Sequence, residues 1–75
     1  MDLLAAIMNI QVGDSLFEPL SGNIGEVTKI MEHPDGKLVK IRWIVEGHLS
    51  HDTEHFYSKL AKCIKKGQIQ YTPKA

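Results

Sequence analysis

Residues 22–45, GNIGEVTKIMEHPDGKLVKIRWIV, read as two β-strands joined by a tight turn. His33-Pro34-Asp35-Gly36 is the turn. Proline pre-sets φ at its second position, aspartate bonds back to the backbone, and glycine accepts φ > 0. The second of the two strands, Lys37 to Val45, has the clearest alternation in the chain. Val39, Ile41, Trp43 and Val45 share one face, and Lys40 and Arg42 lie on the other. Val39, Trp43 and, further on, Phe56 are therefore the expected core. The strand before the turn, Ile24 to Glu32, breaks strict parity at Ile24, Val27 and Ile30. That break predicts a bulge near Thr28 or Lys29, which would bend the strand as a small barrel requires.

Upstream, Ile10 to Leu16 reads as a first strand with a bend at Gly13-Asp14. Phe17 to Asn23, rich in turn formers, reads as a loop. Met1 to Asn9 shows helical spacing at Leu3, Leu4, Ile7 and Met8, about two turns that need something to pack on. This segment covers one end of the domain, pairs with a second copy, or precedes a start at Met8. Residues 1–9 are thus an apolar segment and 10–75 the domain proper.

Downstream, Glu46 to Asp52 is a polar loop and Thr53 to Tyr57 a fourth strand. Ser58 has the chemistry of an N-cap, and Leu60, Cys63 and Ile64 form the apolar stripe of a short helix. Phe56, Leu60 and Ile64 also repeat every four residues, so a longer helix from Thr53 is the alternative. Gly67 suits the residue after the helix. Gln68 to Thr72 closes the chain as a last strand. The predicted fold is mainly β: a five-stranded antiparallel barrel with a short helix before the last strand.

The chain has 75 residues and one cysteine. A domain of this size buries roughly 60% of its unfolded surface, which leaves little room for a deep, water-free active site and points away from an enzyme. Cys63 has no intramolecular partner, which fits a reducing compartment such as the cytoplasm. No apolar run reaches the roughly 18 residues of a membrane span. Residues 1–54 hold nine acids and four bases, a net charge of −5, and residues 55–75 hold five lysines and no acid. Such an end-to-end polarity attracts the two halves to each other or an anionic partner to one end.

Val12-Gly13-Asp14, a glycine-containing loop, and then Gly25-Glu26-Val27-Thr28-Lys29-Ile30 together resemble the KOW motif, in which Gly-x-Val-x-x-Ile opens the second strand. With VKIRW and a short helix behind it, residues 10–71 are similar to the wider group of Src-homology-3-like small barrels, including short proteins of bacteriophages and bacteria. The resemblance implies contacts with RNA or with other proteins. The basic residue usual before the motif's second glycine is absent, and Ser21 and Asn23 stand there.

Three other patterns carry the letters of a chemistry. His48, His51 and His55, with Cys63 beyond them, have donor chemistry for zinc but no Cys-x-x-Cys and no spacing that forces convergence, so they read as loop histidines and no metal is assigned. Ser50-His51-Asp52 holds triad letters in a row, but consecutive residues in an extended stretch point in opposite directions. Gly22-Asn23-Ile24-Gly25 matches a G-x-x-G nucleic-acid clamp but leads into a strand, so it reads as a turn. Nothing in the chain calls for a cofactor. The expected function is a non-enzymatic module that contacts protein through Phe17, Pro19, Leu20 and Tyr57, or a second copy through the N-terminal segment. The alternative is RNA or DNA binding through Lys40, Arg42, Lys59, Lys62 and Lys66, in a domain that is neutral overall.

Overall fold

A computed structural model describes residues 9–45 and 49–74. The expected N-terminal helix and His48 lie outside those residues. Five strands and one helix follow in order: β1 (Ser15–Glu18), β2 (Asn23–His33), β3 (Gly36–Ile44), β4 (His51–Phe56), α1 (Tyr57–Lys65) and β5 (Gln70–Thr72). All pairings are antiparallel in one sheet of order β4-β3-β2-β1-β5. The sheet is open, because its outer strands β4 and β5 do not pair with each other. Among the described residues no helix is long and apolar enough to cross a membrane.

The central ribbon forms as its sequence dictates. Pro34 and Asp35 make the turn, and Gly36 takes the positive φ of 126° that follows it. Asp35 donates its backbone N–H to His33 Nδ1 at 3.1 Å, so the histidine ring, rather than the aspartate, closes the turn. Pairing runs Val27 to Ile41 and then Lys29 to Lys40, which leaves Thr28 as the extra residue of a bulge. The bulge restores the inward parity of Ile30 opposite Val39, and it accounts for the irregular spacing of apolar residues. Val39, Ile41 and Trp43 are buried, with Trp43 only 6% exposed. Leu16, Val27, Leu60, Ile64, Ile69 and Tyr71 complete the core with Ile10.

Five expectations are corrected. Phe56 is half-buried and lies outside the core cluster, because its register opposite Leu38 puts it on the face away from Val39. His51 and Asp52 are not loop but the start of β4, paired with Trp43 and Arg42. The first strand begins at Ser15, not Ile10. Residues 11–14 instead turn around the buried Asp14, whose N–H bonds Gln11 O at 3.1 Å. Phe17 and Glu18 are not loop but strand, paired with Ile24 and Asn23. Ser58 is not the N-cap. β4 runs straight into α1 through Phe56, at φ −64° and ψ 138°, so no side chain caps the helix. The same continuity makes residues 53–56 strand and excludes the longer helix.

The helix ends as read. Gly67, at φ 78°, bonds Ile64 O at 3.1 Å while Gln68 N bonds Cys63 O at 3.0 Å, the paired bonds of a Schellman turn. Leu60 and Ile64 are buried from α1, while Cys63 is half-buried.

Candidate functional site

The candidate site is built around the β1–β2 loop. Gly22 N–H returns to Glu18 O at 2.8 Å, Ser21 Oγ donates to Glu18 Oε1, and Asn23 N–H reaches Ser21 Oγ at 3.3 Å. This loop is therefore bonded to itself on both sides of Pro19-Leu20. It holds Leu20 out at 99% exposure. Fully burying a leucine stabilises by about 1.5–3 kcal/mol, a term that Leu20 forgoes in this position.

Leu20, Pro19 and Glu18 form one wall of a groove of about 640 Å³. Cys63 of α1 and the turn Gly67, Gln68, Ile69 form the other. Lys59 and Lys66 fall four before and three after Cys63, so they share its side of the helix. Beyond Glu18 and Ile69 lies a second cavity of about 200 Å³, lined also by Asn23, Trp43, His51, Thr53 and His55. This one sits between the inward face of β4 and the β1–β5 side of the sheet, where the outer strands leave a seam.

The wall of this cavity that β3 and β4 supply carries a polar chain. Trp43 Nε1–H donates to Thr53 Oγ1 at 2.8 Å, and Thr53 Oγ1 lies 2.8 Å from His55 Nε2. An indole N–H only donates, so the Thr53 hydroxyl proton is free for His55 when the imidazole is neutral. Burial pushes the His55 pKa below its ordinary value, which favours that neutral form.

On the opposite face of the sheet, Phe17, Ile24 and Ile44 stand side by side across β1, β2 and β3. Ile24 is 55% and Ile44 59% exposed. Leu49 is exposed in the β3–β4 connection. Pairing of Ile24 with Ile44 and of Glu18 with Asn23 puts all of these at the end of the sheet where Leu20 stands.

The expected contact residues therefore separate. Pro19 and Leu20 line the groove, Phe17 lies on the outer face beside Ile24, and Tyr57 opens α1 against the core. Ile24 and Ile44 join the exposed residues unexpectedly: strand parity points them outward, but their exposure is set by packing between distant segments.

The expected basic stripe is interrupted. Asp52 lies between its members, 3.1 Å from Arg42 Nε and 3.8 Å from Lys40 Nζ. The bond from Arg42 holds the Asp52 carboxyl below its usual range, and Asp52 raises Arg42 in return. In the strand register Glu26 stands opposite Arg42 and Glu54 opposite Lys40. Lys59, Lys62 and Lys66 are exposed on α1 and its C-cap, and none is in an ion pair among the described residues. His51 turns to the seam while Asp52 turns to Arg42, so the Ser50-His51-Asp52 run does not converge. Among the described residues no group of three or more histidine, cysteine or acidic side chains is placed to hold a metal.

No protein-family model, no curated protein and no solved structure matches this chain.

Proposed function

We propose that the chain is a non-enzymatic protein-recognition module whose contact surface is the loop end of its sheet. The observation that carries this reading is the exposed row of Phe17, Ile24 and Ile44 across β1, β2 and β3, with Leu20 and Leu49 also exposed at that end of the sheet. Exposed large apolar residues scattered singly mean little, but a contiguous group marks an interaction surface. The strand order, the short helix before β5, and Gly25, Val27 and Ile30 on β2 support an SH3-like, KOW-type barrel. A bacteriophage or bacterial protein of the cytoplasm fits that resemblance. Photo-crosslinking tests the surface. Benzoylphenylalanine at position 20 should capture a polypeptide on irradiation in cells, and the same residue at position 29 should not. Equal labelling from both positions would remove the reading.

A second reading, nucleic-acid binding through Lys59, Lys62 and Lys66, is favoured only by their exposure. Phosphate contacts would make affinity for a labelled oligonucleotide fall steeply with salt. No binding at low salt would end it.

A further inference from the structure

Residues that stand opposite one another in an antiparallel pair point to the same side of the sheet, so the register fixes which side chains face inward. Leu16, Val27, Val39, Ile41 and Trp43 are inward and buried, as a half-covered sheet requires. At the Glu18 end this rule breaks. Glu18 is two residues beyond Leu16, and Asn23, its partner in register, is two before Gly25, which pairs with Leu16. On β4, His51 stands opposite Trp43, Thr53 opposite Ile41 and His55 opposite Val39. Five polar residues thus hold inward positions, and all five line the cavity of about 200 Å³ together with Trp43 and Ile69. Breaks of this kind in an otherwise consistent pattern are where functional sites are found.

Packing within the domain accounts for part of the set. Thr53 joins Trp43 to His55, and Glu18 Oε1 accepts from Ser21. Glu18 Oε2, the Asn23 amide and the His51 ring have no hydrogen-bond partner among the described residues. Glu18 and Asn23 are half-buried, and His51 is exposed.

Size and charge narrow what these groups can receive. The space is smaller than the roughly 300–1,000 Å³ of pockets for drug-sized ligands, so it admits a group of a few atoms. Among the described residues its lining has one acid, Glu18, and no lysine or arginine. Burial keeps His55 on the neutral side. A carboxylate with no fixed cation beside it repels anions and is best satisfied by a charged donor. A primary ammonium brings three N–H donors and no acceptor. Glu18 Oε2 and the Asn23 amide oxygen can take them, while Ile69 and Trp43 offer apolar atoms to a short alkyl stem.

We infer that this cavity binds a primary alkylammonium group, with Glu18 as its counter-ion and Asn23 as the second acceptor. The site lies on the side of the sheet away from Phe17, Ile24 and Ile44, and it is independent of the contact surface proposed above.

Trp43 lines the cavity and is the chain's one indole, so its emission reports on the site. n-Butylammonium would be titrated into the full chain at constant ionic strength, with n-butanol and butyrate as the neutral and anionic counterparts. The expected result is a saturable change in Trp43 emission in the millimolar range, as befits so small a ligand. Amide ¹H–¹⁵N shifts should move at residues 18, 23 and 51–55 and not at 31, 38 and 56. Glu18→Gln keeps an acceptor for Ser21 but removes the charge, and it should weaken binding about tenfold. Glu26→Gln is an equal loss of charge on the outer side of β2 and should leave binding unchanged. Equal binding of n-butanol, tighter binding of butyrate, undiminished affinity in Glu18→Gln, or an equal loss in Glu26→Gln would each overturn the inference. Nα-acetyl-lysine methylamide then distinguishes the source of the ammonium. Tighter binding than n-butylammonium points to a lysine side chain of a polypeptide, and binding no tighter points to a free amine; either upholds the site.

Discussion

At the scale of single residues, Asp14 does the most to tie the chain together. The residue is 2% exposed, and its carboxylate accepts from Gln11 N–H, Lys74 N–H and the Tyr71 hydroxyl. Its own backbone carbonyl takes Val27 N–H at 2.9 Å. Burial alone would raise its pKa, but the bonds from Tyr71, Lys74 and Gln11, with the Lys74 charge, outweigh it and hold the group below its ordinary 3.8. Burial and the bond to Asp14 drive Tyr71 the other way, well above a normal phenol. Because the folded pKa is depressed, the unfolded chain takes up the proton first. The stabilisation is therefore complete above about pH 4 and is lost as pH falls below it. Asp14→Asn should cost about 1–3 kcal/mol at neutral pH, since an amide turns donors toward donors. It should also flatten the acid limb of a denaturant-stability profile. An acid limb as steep as the parent's would contradict this role. Gly25 is constrained by space rather than charge. A Cβ there would stand 2.8 Å from Ile41 Cγ2 and 2.9 Å from the Trp43 ring. Gly25→Ala should therefore destabilise by about 1–3 kcal/mol and alter Trp43 fluorescence, while an unperturbed melting curve would show that the ring moves aside freely.

At the scale of elements, legibility followed the local physics. The β2–β3 ribbon was readable because turn chemistry and side-chain parity both act within a few residues. Even the Thr28 bulge showed itself as a break in that parity. The helix end was readable for the same reason, since Gly67 occupies a left-handed position that other residues avoid. Gly67→Ala should accordingly cost about 1 kcal/mol, read as a lower thermal midpoint with unchanged helical circular dichroism below the transition; no change in midpoint would deny the turn its role. Helix start and first strand were not readable in this way. Ser58 carries the right hydroxyl, but β4 feeds α1 directly and leaves no loop for a cap. Ile10 belongs to the core by burial, yet the backbone around it turns to serve Asp14, a contact with Tyr71 made 57 residues away. Long-range contacts of that kind leave no local signature. The site divides along the same line. Pro19 and Leu20 announced a loop, but the α1–β5 wall that makes it a groove comes from the far end of the chain.

At the scale of the whole molecule, β4 is an outer strand whose backbone pairs with β3 on one side only among the described residues. Side chains on the inward face of these two strands add to that pairing. Trp43, Thr53 and His55 form a polar thread there, with His51 and Glu18 at the same cavity. Protonating His55 turns Nε2 from acceptor to donor and leaves the Thr53 hydroxyl proton without its acceptor. Because burial depresses the folded pKa of His55, the unfolded chain again binds the proton first. The stability it contributes is present above about pH 6.5 and is lost as pH falls through the lower folded value. This window lies above that of Asp14, so the two are separable. Denaturant titrations monitored by Trp43 emission, the chain's one indole, should show stability falling between pH 7 and 5. In His55→Gln, a side chain without a charge to gain, that slope should be shallower while the fall below pH 4 remains. Equal slopes in the two proteins would mean that β4 is held by its backbone pairing with β3 and by the burial of Trp43, with the polar thread a passenger.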